Sequence, residues 1–274
     1  MALHSAIVEL DEFTESINIL VYGDTGGGKT VLGGTAPKGL ILRAENGALS
    51  AKRQGSTAKV WPIKSWSDFE AAYDWLEDNP DTFDWVVIDS VTKLQELCIR
   101  AILDKAVADN PSRDLDIPAI QDHYKWQLLM KRYVVMFNDL PINTLWLALA
   151  MHKEDQEGED LVLPLITGKG YDISASICAE MNVVAYLAVR TVKTKDREGA
   201  VTERDRRELL VRSHPPYFAK DRYACIGDDK GVMIDPTMPK IIAAIESSAG
   251  TSTAAATPRK KATTTRRATA RRTS

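Results

Sequence analysis

Thirteen residues, YGDTGGGKTVLGG (22–34), contain six glycines and follow the apolar run INILV. Within them Gly23-Asp24-Thr25-Gly26-Gly27-Gly28-Lys29-Thr30 has the spacing of a phosphate-binding loop: glycine, four residues, then glycine, lysine and a hydroxyl residue. The context constrains the fold more than the spacing does. INILVYG (17–23) is a short apolar, β-branched run ending in glycine, which predicts a buried strand, and a helix is predicted from Lys29. A strand that enters and a helix that leaves let backbone N–H groups and the helix start face one anion together. Glycine permits close approach of the backbone to phosphate, Lys29 offers a point charge to the β- and γ-phosphates, and Thr30 can ligate Mg2+. The competing reading is a glycine-rich turn with a chance lysine.

The remaining chain alternates strands and helices. GLILRAE (39–45) and AKVWPI (58–63) are predicted strands, and Ser67 with Glu70 offers a capping box for the helix DFEAAYDWLED, ending at Asn79-Pro80. FDWVVIDS (83–90) is an apolar strand closing on an acid. Helices are expected over 91–108 and 119–139, where apolar residues recur at three and four positions. INTLWLALA (142–150) is the most hydrophobic strand candidate, followed by a charged loop, MHKEDQEGEDLVLPLITGKG. Two later strands, within 181–192 and 206–213, flank a turn-rich charged segment, and a last helix lies near PKIIAAIES. This order predicts an α/β fold with a mainly parallel central sheet and no internal repeats.

Apolar residues make up 44% of the 274 and charged residues 27%, and the longest apolar runs are far short of a membrane span. A soluble chain without membrane attachment is expected. MALHSAIVELDEF lacks the features of an export signal, so a cytoplasmic location is expected. Cys98, Cys178 and Cys225 are odd in number and far apart, which argues against a disulfide framework or a thiolate zinc site. The net charge of −3 conceals an asymmetry. From Ser247 onward there are seven basic residues and no acidic ones, so the body carries 28 basic against 38 acidic residues, a net −10. The expected organisation is an arm (1–15), a P-loop domain (16–246) and a disordered basic tail (247–274).

Two acids fit the loop. Asp89 ends an apolar strand, as an acid holding Mg2+ through water beside such a loop must. Glu45 closes the second strand and falls on the carboxyl edge of the sheet, where it can orient a water for attack on the γ-phosphate. A turn acid and a solvated loop glutamate are the competing readings.

These residues carry a family resemblance. LILRAENGALS looks like the RecA segment in which a strand ends in Ala-Glu, the glutamate being the catalytic carboxylate, and WVVIDSVTKL resembles that family's Walker-B strand. INTLWLALAMHKED is similar to the strand that ends in a γ-phosphate-sensing residue, and LITGKGYDISASICAEMNVVAYLAV resembles the stretch after the second DNA-binding loop. The likeness spans about 17–192. It implies a three-layer RecA-like P-loop ATPase using ATP and Mg2+, with catalytic roles for Lys29, Glu45 and His152. RecA has glutamine where this chain has His152, which can still donate or accept a hydrogen bond. Within the superfamily the chain is more similar to compact phage nucleotide-binding and single-strand annealing proteins, which places it in a host cytoplasm. In such proteins ATP sits between subunits and a neighbour supplies a basic residue. The resemblance therefore implies a homo-oligomer, ring or filament, with Lys220 or Arg222 of FAKDRY as the trans contact; an ordinary surface role is the alternative.

The resemblance also implies single-stranded DNA as partner, held by loops at about 104–118 and 153–170, with Lys105, Arg113, Lys153 and Lys169 as cations interspersed with acids. Arg259, Lys260, Lys261, Arg266, Arg267, Arg271 and Arg272 in the tail add a flexible polycation that needs no fold to bind polyanions. With no aromatic residue there, base stacking is excluded. A single-strand-binding protein is a further expected partner. Two other classes stay open: a nucleotide or small-molecule kinase, with Arg197, Arg204, Arg206 and Arg207 forming a basic lid, and a non-enzymatic ATP-binding switch or packaging component.

Overall fold

The computed structural model describes residues 16–45, 48–154, 157–168, 173–195 and 201–251. The arm, Lys169 and the seven basic residues of the tail lie outside them. β1 (Asn18–Gly23) enters the glycine loop and α1 (Lys29–Gly33) leaves it; β2 (Gly39–Arg43), α2 (Ala48–Arg53), β3 (Lys59–Pro62), α3 (Trp66–Asp78) and β4 (Trp85–Asp89) follow. Next come α4 (Val91–Asp109), α5 (Ile120–Asp139), β5 (Asn143–Glu154), β6 (Asp160–Pro164) and α6 (Ile173–Ala179). The chain closes with β7 (Val183–Lys195), β8 (Val201–Leu210), β9 (Lys220–Asp221), β10 (Val232–Ile234) and α7 (Met238–Thr251).

The strand order is β10-β8-β7-β1-β5-β4-β2-β3. From β7 to β3 all neighbours are parallel. Parallel pairing needs crossovers, and the helices that make them cover both faces. β1 shows how the period of two sorts side chains between those faces: Leu20 and Tyr22 join the core with Trp66, Phe69, Trp126, Phe137 and Trp146, while Ile19 and Val21 join Leu32, Met238 and Ile241. Because β5 pairs on one side with β1 and on the other with β4, the strand carrying His152 lies between the loop strand and the Asp89 strand.

Three local expectations are corrected. The charged segment after β5 is an antiparallel hairpin, in which β5 continues past Ala150 and His152 stands opposite Val162. The capping box of α3 is Ser65 with Asp68: Ser65 Oγ accepts from the Asp68 N–H at 3.2 Å and Asp68 accepts from the Ser65 N–H at 2.9 Å. Glu70 instead accepts from the indole of Trp66 and the hydroxyl of Tyr133. The tail's composition begins inside a helix, since α7 runs through Ser247 to Thr251. Among the described residues no helix is long and apolar enough to cross a membrane, and Cys98, Cys178 and Cys225 form no disulfide with one another.

Phe137 is fully buried, stacked on Phe69 at 4.7 Å and edge-on to Trp146 at 5.8 Å. Phe137→Ala should destabilise the fold by about 3–5 kcal/mol. A fall in the urea midpoint at constant m value is the expected reading; an unchanged midpoint would show that this face is not a close-packed core.

Candidate functional site

Parallel strands bring their carboxyl ends to one edge, and the candidate residues collect there. Gly23 ends β1, Asp24 to Gly28 form the loop, and Lys29 and Thr30 open α1. Gly28 has φ +91°, a left-handed conformation that glycine adopts without strain. Gly23 is required for a different reason: a Cβ there would stand 2.4 Å from the Leu187 carbonyl oxygen of the neighbouring strand.

Lys29 is 8% exposed, and its ammonium donates to the carbonyls of Gly23 at 2.8 Å and Asp24 at 2.9 Å. Burial lowers its pKa, against which the negative charges of Glu45, Asp89 and Asp24 act. Thr30 Oγ1 donates to Asp89 Oδ2 at 2.8 Å, joining the loop to the end of β4. Asp89 is 3% exposed, and burial raises its pKa; the Thr30 hydroxyl opposes that rise.

Glu45 stands two residues past the end of β2. The N–H groups of Ala44 and Glu45 both donate to the Asp89 carbonyl, at 2.7 and 3.2 Å, and the Ser90 hydroxyl donates to the Glu45 carboxylate. The serine next to Asp89 therefore holds the second acid at the wall of the same cleft. On the other flank, Asp24 receives Tyr186 Oη at 3.1 Å and pairs with His152 Nε2 at 3.1 Å. The bond to His152 holds the Asp24 carboxyl below its usual range. Tyr186 in turn stacks on Tyr217, with ring centroids 4.2 Å apart. The loop's second residue is thereby connected to both hairpins, β5–β6 and β7–β8.

The cleft measures about 720 Å³ and is lined by Gly26, Gly28, Lys29, Thr30, Glu45 and Asp89, with Leu49 and Gln54 of the α2 region opposite. That volume lies within the range of small-ligand sites. Three further cations line it: Arg43 and Arg53, which the sequence did not single out, and Arg207, which it named only among the lid arginines of the kinase alternative. Arg43 was readable as the neighbour of Glu45 at the end of β2, whereas Arg207 reaches the loop only through strand order. Among the described residues no group of three or more acids, histidines or cysteines can hold a metal ion. A Mg2+ site here fits the Thr30 hydroxyl and the Asp89 carboxylate only with phosphate oxygens completing it, the usual arrangement for that ion.

The other candidates lie apart. Lys220 Nζ donates to the Cys178 carbonyl at 2.8 Å and Arg222 to the Ala179 carbonyl at 3.0 Å, at the end of α6. Both sit beside the amino end of β7, across the sheet from the loop. Arg113 forms a forked pair with the buried Asp122 at the start of α5. Lys105 and Lys153 are exposed, on α4 and β5.

His152→Ala should raise the Asp24 pKa toward the ordinary carboxylate range, read from a carboxyl NMR titration. Because the folded pKa is depressed, this bond's contribution to stability is present above the unfolded carboxylate range and is lost as pH falls through the folded value. An Asp24 titration unchanged by the substitution would show that Tyr186 alone fixes the carboxylate.

No curated protein matches the chain. Residues 15–223, which span the loop, Glu45, Asp89, His152 and Arg207, match the family described as AAA domain, a P-loop ATPase family with which ATP binding and hydrolysis agree. With most of its length inside that match, the chain belongs to the AAA domain family.

Proposed function

We propose that the protein is a Mg2+-dependent, RecA-like ATPase whose cycle is coupled to single-stranded DNA, acting in annealing or homologous recombination in a phage-infected host cytoplasm. The observation that carries the reading is the position of Glu45, held by Ser90 next to Asp89 and facing the loop cleft. Glu45 accepts a hydrogen bond from the attacking water, Lys29 leaves its loop carbonyls for the phosphates, and His152, already on Asp24, responds to the γ-phosphate. Thr30 and, through water, Asp89 would hold Mg2+, which when bound would supply charge neutralisation along the phosphates.

The DNA component rests on the resemblance and on cation placement. Lys105 and Lys153 are exposed, Arg113 is committed to Asp122, and the seven basic tail residues carry the larger electrostatic share. Self-assembly into a ring or filament, with Lys220 or Arg222 released to a neighbour's nucleotide, and contact with a single-strand-binding protein belong to the same proposal. The body's net −10 opposes tight binding by the body alone, which assigns the tail a recruiting role.

Phosphate release from Mg·ATP, measured with and without single-stranded DNA, tests this. DNA should stimulate it, and Glu45→Gln should lower kcat by about 10²–10⁴-fold while ATP still binds. Release that ignores DNA, with phosphoryl transfer to a nucleoside monophosphate, would establish the kinase reading, which draws on Arg207 in the cleft wall. Deleting residues 252–274 should reduce the salt slope of DNA binding by up to about five. An unchanged slope would remove the tail from the interaction.

A further inference from the structure

The β7–β8 hairpin meets the glycine loop at three points: the Leu187 carbonyl over Gly23, Tyr186 Oη on Asp24, and Arg207 over Gly28. The first two come from β7, the direct neighbour of β1. The third does not follow from adjacency, because β8 lies one strand further out. Arg207 nevertheless reaches back across β7, placing Nε 2.5 Å and Cζ 2.9 Å from where a Cβ on Gly28 would stand.

The surroundings of Arg207 differ from those of the other hairpin cations. Arg206 and Arg190 pair with Glu208, and Lys193 pairs with Glu203. Among the described residues no hydrogen bond or ion pair holds the Arg207 guanidinium. Its main chain is fixed on both sides: the N–H donates to Asp235 Oδ1 at 3.2 Å, and the carbonyl accepts from the Asp235 N–H at 2.8 Å. An anchored backbone thus presents a half-buried, unpaired guanidinium to a loop built to surround phosphate. Partly desolvated cations call for anions, and the planar fork of five donors matches a phosphate edge in a way the Lys29 ammonium does not.

We infer that Arg207 is a phosphate ligand of the bound nucleoside triphosphate, supplied in cis by the β7–β8 hairpin and directed at the terminal phosphates. Gly28 directly precedes Lys29, so guanidinium and ammonium converge on the same β- and γ-groups. The hairpin is then fastened to the nucleotide itself as well as to the loop, and the site prefers triphosphate to diphosphate. This inference rests on the ATPase reading above.

The test is equilibrium binding of Mg·ATP, Mg·ADP and AMP to the full chain and to Arg207→Ala, Arg207→Lys and Arg190→Ala. Arg190 stands opposite Arg206, on the other face of the hairpin from Arg207, and serves as the control. Arg207→Ala should weaken ATP binding by about tenfold to a hundredfold, ADP less, and AMP not at all. Arg207→Lys should fall between, because it keeps the charge and loses the fork, and Arg190→Ala should match the parent. Unchanged ATP affinity in Arg207→Ala, or an equal loss for AMP, would overturn the inference. A parent protein that binds no ATP would instead overturn the ATPase reading.

Discussion

A buried ammonium needs acceptors, and the site is arranged around that need. Lys29 finds them in the carbonyls of Gly23 and Asp24, so the loop curls back over its own lysine. Curling requires the left-handed turn at Gly28, and room for it requires a bare Cα at Gly23 beneath the Leu187 carbonyl. The same burial that lowers the Lys29 pKa raises that of Asp89, and the two charges sit across Thr30 from each other. On the proposed reading, phosphate arriving in the cleft would exchange carbonyl acceptors for anionic ones, giving the lysine a stronger partner and releasing the loop carbonyls.

That exchange bears on more than the loop. Asp24 carries Tyr186 and His152 on one carboxylate, one from the β7–β8 hairpin and one from the β5–β6 hairpin. Tyr22 Oη, one side chain before Gly23, donates to the carbonyls of Val162 and Phe218, at 2.9 and 2.7 Å, so β6 and the 213–218 segment are tied to β1 as well. β5, placed between β1 and β4, fixes His152 relative to both the loop and Asp89. The two hairpins and the loop form one hydrogen-bonded assembly, the physical route that the proposed coupling of phosphate occupancy to DNA would use.

Much of this was legible in the sequence. The alternation of apolar strands with periodic helices predicted the mainly parallel sheet, because fully buried parallel strands read as continuous apolar runs. The ends of those runs located Asp89 and brought Glu45 to within two residues of a strand end. The β5–β6 hairpin was not read from the sequence: the far end of β5, His152-Lys153-Glu154, is polar and exposed, and the short apolar run Leu161-Val162-Leu163 of β6 sits within a charged segment without a strand's alternation. The cap of α3 was misread because Ser65-Asp68 and Ser67-Glu70 are equivalent as local patterns, and only the packing of Glu70 against Trp66 and Tyr133 separates them. Arg207 was named in the sequence as one of four arginines of a basic lid under the kinase alternative, without being separated from its neighbours. Its approach to Gly28 depends on strand order and register, which a local pattern does not encode.

The central claim is that this loop holds the phosphates of a Mg2+-bound nucleotide through Lys29. Thermal unfolding of the full chain and of Lys29→Ala, each with and without millimolar Mg·ATP, addresses it most directly, since a ligand that binds only the folded state raises its stability. The account predicts a Tm rise in the parent that depends on Mg2+ and disappears in Lys29→Ala. No rise in the parent, or an equal rise in the variant, would contradict it.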